Sequence, residues 1–475
     1  MNKEIFFNLF KFVFPMFLMA CGNESEAEET ANTQNSNPKA SIEVAPTTPS
    51  PTKNLFIDSL VFEHFIDNSP LSEVAYYMPT ENPSSVIVFF DAQGRGFHPL
   101  SKYRALAKKH NYWLIGSNIS KNGFQYDLTQ QHFEKIRNWV LKKDENLLSK
   151  FHLAGFSGGA RVAVWMAYDY TLPSVAGFCA GVPNNNKTMV EQKFYYGVTG
   201  IKDFNYIEMT QLTEGFLSLN NFVSIIEGKH DWADNEEMDL VFKWFKLNEI
   251  RNGISEAANY PVNKWLDEYK DAVMQRDQNA PIEILYNQFV KGSALFHDVL
   301  DISFFENEKT NFRENYKGWP SFQKNKTVAT YAERSWDSKF AVALNQDDPF
   351  FHWNGYLEKL EEEINNAPNQ VIKRGLERVY PYLSLVSFLQ MDGYYRLEKL
   401  DSAKLWLEML ANIDPENPDV YYYKALFNAN DNFLVAQSLD KAIALGFNDY
   451  KKLLNQKEFA TLNKQDWINA IKKRG

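Results

Sequence analysis

The stretch Phe151-His-Leu-Ala-Gly-Phe-Ser-Gly-Gly-Ala160 decides how this chain is read. An apolar run leads into Gly155-Phe156-Ser157-Gly158-Gly159, and a helix-like stretch follows. This is G-x-S-x-G placed between a strand and a helix. Gly155 and Gly159 carry no Cβ to clash where the chain reverses. The spacing therefore predicts a sharp turn that pushes the Ser157 hydroxyl out at the carboxyl end of a strand. Gly and Ser are common residues, so the flanking segments must agree with the pattern before it means anything.

They do agree. From Leu55 to about Asn252 strand and helix patterns alternate. Val61–Ile66 and Val74–Tyr77 read as a leading hairpin, and the wholly apolar Val86–Phe90 as a strand buried on both faces. A helix opening at Pro99 follows, with Leu100, Tyr103, Leu106 and Ala107 at helical spacing. Tyr112–Ile115 is the next strand. Asp127 is placed to cap a long helix carrying Phe133, Ile136, Val140 and Leu141. Beyond the Ser157 turn, strands are predicted at Ser174–Cys179, Phe194–Val198 and Phe222–Ile226, then a helix around Glu236–Ile250. Alternation of this kind predicts an α/β fold with a mostly parallel sheet. The Cys179–Phe194 connection is too short to hold a lid, so the mouth is expected to be open or covered from outside this unit.

A serine hydroxyl is a weak nucleophile at neutral pH and needs a base, with a third group to orient that base. Asp203 follows the Phe194–Val198 strand, and His230 follows the Phe222–Ile226 strand. Both are thus expected at the sheet edge that carries Ser157. Asp231 is the competing acid, but it adjoins the histidine in the chain and is poorly placed to reach the far ring nitrogen. The oxyanion needs two N–H donors. Gly158 supplies one, and Ala92 or Gln93, in the loop Asp91-Ala-Gln-Gly-Arg-Gly96, the other. Phe124, Tyr126 and Trp232 are the candidates for the substrate mouth. No run of His, Cys and Asp at ligand spacing points to a metal, and no cofactor is expected.

These residues resemble the α/β-hydrolase superfamily, more narrowly the lid-less esterases of the dienelactone-hydrolase and polyhydroxybutyrate-depolymerase kind. The resemblance runs from Phe90 to Trp232 and rests on Asp91–Gly96, Ser117-Asn118, Gly155–Gly159 and Gly228–His230. It implies a nucleophile at Ser157, a general base at His230 and an acid at Asp203. Asp91-Ala92 stands where such esterases often have His-Gly, and serine stands in place of the cysteine of dienelactone hydrolases.

The chain has 475 residues, too many for one ordinary core. Its net charge of -10 argues against nucleic acid as a partner. Lys3, Lys11, an apolar Phe12–Ala20 and Leu18-Met19-Ala20-Cys21 resemble a bacterial lipoprotein signal, so residues 1–20 are expected to be removed and Cys21 acylated. Residues 21–53, rich in Glu, Asn, Ser, Thr and Pro, read as a disordered tether. The expectation is a lipoprotein held at the bilayer through Cys21, outside the cytoplasm. With Cys21 so used, Cys179 has no disulfide partner in the chain.

Residues 54–252 are expected to form the hydrolase unit, 253–370 a helical region, and 371–475 a helical-repeat-like region. Ala403, Leu405, Trp406, Met409, Leu410 and Ala411 with Asp414-Pro415 resemble the second helix and closing proline of a tetratricopeptide repeat. Val420–Ala425 with Ala436, Leu439, Ala442 and Ile443 resembles another. These helices offer a surface to a protein partner. The function expected is serine esterase chemistry on a carboxylic ester through an acyl enzyme. The alternatives are a serine peptidase and a catalytically idle scaffold.

Overall fold

The computed structural model describes residues 55–474 except 184–185, 192, 214–215, 217, 278, 347 and 461. The signal segment, Cys21 and the tether lie outside the described residues. The first half runs β1 (Leu60–Phe65), β2 (Glu73–Tyr77), β3 (Ser85–Asp91), α1 (Phe97–His110), β4 (Tyr112–Ser117), α2 (Tyr126–Lys143) and β5 (Phe151–Phe156). It continues through α3 (Gly158–Asp169), β6 (Ser174–Phe178), α4 (Thr188–Glu191), β7 (Phe194–Gly200), α5 (Tyr206–Thr213), β8 (Asn221–Ile226) and α6 (Asn235–Arg251).

The eight strands form one sheet in the order β1-β2-β4-β3-β5-β6-β7-β8. β2 alone is antiparallel to its neighbours; the other pairings are parallel. This is the α/β-hydrolase fold. The order places β3, β5 and β6 side by side at the centre, where every residue of β3 is buried. Because side chains alternate along a strand, Val86, Val88 and Phe90 join one core with α2 and α3, while Ile87 and Phe89 join another with α1 and α6.

Helix α1 starts at Phe97, two residues ahead of Pro99. Gln125, not Asp127, is the N-cap of α2; Asp127 sits inside the first turn, where a negative charge suits the helix dipole. Leu141 is exposed rather than part of the apolar stripe.

The remainder is helical, and no strand occurs in it among the described residues. It runs α7 (Val262–Met274), α8 (Ile282–Phe296), α9 (Ser303–Asn315), α10 (Trp319–Ala343), α11 (Pro349–Asn365) and α12 (Gln370–Glu377). Then come α13 (Val379–Arg396), α14 (Leu400–Ile413), α15 (Pro418–Phe427), α16 (Asn432–Ala444), α17 (Tyr450–Asn455) and α18 (Gln465–Arg474). The sequence predicts one helix over Gln370–Met391; the structure breaks it at Arg378. It also misses α9, whose one buried side chain, Phe305, fits only because Gly292 opposite has no Cβ. No helix of the described residues is long and apolar enough to cross a membrane.

The helices are not hung on the sheet by a linker. The core on the α1/α6 face runs without a break into α7–α18. Edge strand β8 is covered by α8, where Asn287 accepts the Ile225 N–H at 2.7 Å and donates to the Val223 carbonyl at 2.8 Å. A side-chain amide thus satisfies an edge that would otherwise invite another strand.

Two further contacts reach the carboxyl edge of the sheet. Arg378 donates to the Ile201 carbonyl at 3.0 Å, and the segment around Asn448 meets the loop after β3. The mouth is therefore flanked on both sides by helices that come late in the chain.

Candidate active site

Ser157 stands alone between β5 and α3, with φ 54° and ψ −125°. A non-glycine residue in that region is strained, by roughly 1–3 kcal/mol. The surroundings hold it there. Its N–H donates to the Phe178 carbonyl on β6 at 2.8 Å, and its own carbonyl accepts the Ala160 N–H at 2.9 Å. The two flanking glycines are required by space: a Cβ on Gly155 would lie 2.1 Å from the Gly159 carbonyl oxygen, and one on Gly159 would lie 2.1 Å from that of Phe90. The turn therefore packs directly on the end of β3, and α3 presents its first N–H groups there.

Asp203 lies in the loop after β7 and is fully buried. Its carboxylate accepts from the Asn205 N–H at 2.9 Å, from Thr199 Oγ1 at 3.3 Å, and pairs with His230 Nδ1 at 2.8 Å. A carboxylate can only accept, so the ring proton sits on Nδ1 and the lone pair on Nε2. The acid and histidine loops are tied to each other: Lys202 donates its N–H to the Gly228 carbonyl at 3.0 Å, and a Cβ on Gly200 would lie 2.4 Å from that oxygen. Phe204 stacks on the imidazole with centroids 4.1 Å apart, and Phe156 touches it at 4.9 Å. Asp231, the competing acid, spends its carboxylate on the Trp232 N–H at 2.7 Å.

Ser157 Oγ makes no hydrogen bond among the described residues, so its link to His230 Nε2 is not closed in this structure. Contacts of this kind often tighten only with substrate in place.

Of the two residues proposed for the second oxyanion donor, Gln93 has its N–H engaged, donating to Asp91 Oδ1 at 2.9 Å. Ala92 remains, with its carbonyl tied to the Asn122 N–H at 2.8 Å. Gly158 has the Asn122 side chain beside it: a Cβ there would lie 1.8 Å from Asn122 Oδ1.

Trp232 is not at the mouth. It is 3% exposed, packed among Phe89, Phe156 and Phe178, and donates its indole N–H to Asp91 Oδ2 at 3.2 Å. Tyr126 stacks on Trp165 at 4.4 Å. Phe124 is half-buried in the loop that carries Asn122.

One group beside the histidine, Cys179, escapes a reading by sequence spacing. The ligand atoms of Cys179, Asp203 and His230 lie within 4.8 Å of one another, a thiol, a carboxylate and an imidazole from three different strand ends. Burial and then the Asp203 charge push the Cys179 thiol up, and it donates to the Asp231 carbonyl at 3.3 Å. This trio is the one group of possible metal ligands among the described residues. Asp203 and His230 already hold each other.

No family model matches the chain, and no curated protein matches it. Solved structures do, over its N-terminal two-fifths or so. Est1E from Butyrivibrio proteoclasticus is 11% identical, with 38% of this chain and 95% of that one covered at a TM-score of 0.31. XC6422 from Xanthomonas campestris, described as an a/b serine hydrolase without lid, is 16% identical over 42% and 97% of the two chains, TM-score 0.31. A dienelactone hydrolase from Anabaena variabilis is 14% identical over 37% and 91%, TM-score 0.30.

Proposed function

We propose that the protein is a serine hydrolase that cleaves a carboxylic ester through an acyl enzyme on Ser157. The single observation that carries this is the 2.8 Å Asp203–His230 bond at the same sheet edge as a serine held at positive φ on a strand-to-helix turn. In the reaction, His230 Nε2 takes the Ser157 proton as Oγ attacks the ester carbonyl. The carbonyl oxygen becomes an anion held by the N–H groups of Gly158 and Ala92. His230 then returns the proton to the leaving alcohol, and water attacks the acyl enzyme by the same route. Asp203 keeps the imidazole in the required tautomer and stabilises its positive charge. No step calls for a cofactor.

The cellular setting belongs to the same proposal. Cys21 is acylated after removal of residues 1–20, and residues 21–53 tether the enzyme outside the cytoplasm. Residues 54–252 form the catalytic unit and 253–370 a helical region. Residues 371–475 form a tetratricopeptide-like region, in which α13–α16 make two successive helical hairpins.

The test is stopped-flow release of p-nitrophenol from short- and long-chain esters, run beside aminoacyl p-nitroanilides. A rapid burst stoichiometric with enzyme, on esters and not on anilides, is the expected result. Turnover of anilides alone would make the protein a peptidase, and turnover of neither would leave the ester reading without support.

A further inference from the structure

The loop after β3 is gripped from the far end of the chain. Asp91 is fully buried, and burial alone would raise its carboxyl; Arg95 beside it and the Gln93 N–H hold it below its ordinary value. Arg95 Nε donates to Asp91 Oδ1 at 3.1 Å, and its Nη2 reaches Oδ2 at 3.5 Å. The remaining edge of the guanidinium donates through Nη1 to Asn448 Oδ1, between α16 and α17. Asn448 in turn contacts His98 Nδ1 through Nδ2 at 3.3 Å. Burial, and then the Arg95 charge, hold His98 down to about 4, so that ring nitrogen is a neutral acceptor at pH 7. The same segment is anchored again by Tyr450 to Glu63 and Lys451 to Glu73, and by the Tyr450 ring against Phe62 and Phe97.

We propose that Asn448 is a positioning residue for the oxyanion hole, acting through Arg95 and Asp91 on the Ala92 peptide. Asp91 binds the N–H of Gln93 through Oδ1 and the indole of Trp232 through Oδ2. Ala92 lies between Asp91 and Gln93, so fixing both neighbours fixes the plane of its peptide and the aim of its N–H. A donor helps an oxyanion only when its direction is set beforehand. The guanidinium that sets it is itself held in one rotamer by Asn448. The late helices thus brace the catalytic unit from outside it, and their removal would disturb the site without touching any reacting group.

This inference rests on the serine-hydrolase reading, and the test separates the two. Full-length wild type, Asn448→Ala, Asn448→Asp and Tyr450→Phe are compared for kcat and KM on the best p-nitrophenyl ester, and for inhibition by a trifluoromethyl ketone, whose adduct carries an oxyanion. Asn448→Ala is expected to lower kcat about 10-fold with KM within twofold, and to raise the ketone inhibition constant in parallel. Asn448→Asp keeps the acceptor oxygen and restores kcat to within about threefold. Tyr450→Phe cuts another anchor of the same segment and leaves kcat within twofold. In an Arg95→Lys background the Asn448→Ala effect vanishes, because the relay is already cut; that background also reports should Asn448→Ala alone fold poorly. Equal kcat in wild type and Asn448→Ala would overturn the inference, as would an equal loss in Tyr450→Phe. A wild type that neither turns over esters nor binds the ketone would instead overturn the serine-hydrolase reading itself.

Discussion

The ring of Phe204 lies on the face of the His230 imidazole, 4.1 Å between centroids and 29° between planes, while Asp203, one residue earlier, holds the ring edge through Nδ1. One loop thus fixes both the orientation and the tautomer of the histidine. The two effects separate by mutation. Asp203→Asn removes the acceptor that keeps the proton on Nδ1, and kcat should fall on the order of 10⁴-fold. Phe204→Ala leaves the tautomer alone and lets the ring tilt, so the loss should stay below about 100-fold. Steady-state kinetics on an activated ester measures both. Equal losses would mean that the carboxylate does no more than the aromatic face.

The backbone at Ser157 predicts a gain in stability from an inactivating change. At φ 54° and ψ −125° glycine is unstrained and serine is not. Ser157→Gly should remove roughly 1–3 kcal/mol of strain, less the added chain entropy, for a net gain of about 1 kcal/mol in urea unfolding. A destabilised glycine variant would show that the turn stores no strain.

The two glycines after the serine should respond differently to alanine. A methyl at Gly159 meets the Phe90 carbonyl oxygen at 2.1 Å, which is main chain and cannot move aside. Gly159→Ala should therefore lose about 1–3 kcal/mol. A methyl at Gly158 meets first the Asn122 side chain, which can swing away, so Gly158→Ala should stay within about 0.5 kcal/mol of wild type. Matched unfolding curves decide it; similar losses at both positions would contradict the packing described.

Much of this was legible in the sequence, and the pattern of what was not is physical. Ser157, Asp203 and His230 each follow a run of apolar residues that reads as a strand, and a parallel sheet carries all such ends to one edge. Gln93 could not be told from Ala92, because what separates them is where one N–H points. Trp232 adjoins the histidine loop in sequence, yet the Asp91 carboxylate draws its indole inward. Arg95 was findable as the partner of Asp91 four residues away. Nothing local ties it to Asn448, 353 residues on, or Arg378 to Ile201, 177 residues away. Such contacts exist only once the late helices have docked.

That docking carries its own pH signature. Glu333 pairs with Arg378 at 2.6 Å, and Arg378 also holds the Ile201 carbonyl near Asp203. Burial outweighs Arg378 and lifts the Glu333 carboxyl from 4.5 to about 7. The folded chain thus binds this proton more tightly than the unfolded one. Its contribution is full below pH 4.5 and is lost as pH rises through 7. Wild type should lose on the order of 1–3 kcal/mol relative to Glu333→Gln between pH 4.5 and 8. Urea unfolding of both proteins at several pH values measures the difference; a constant gap would show that Glu333 titrates normally.

Covalent trapping shows whether Ser157 is the nucleophile. Folded wild type and Ser157→Ala are treated with a fluorophosphonate, digested, and examined by mass spectrometry. One adduct on the peptide containing Ser157, absent from the alanine variant, is the predicted result. A folded wild type that takes no label, or an alanine variant labelled to the same extent, would mean that Ser157 is not the nucleophile.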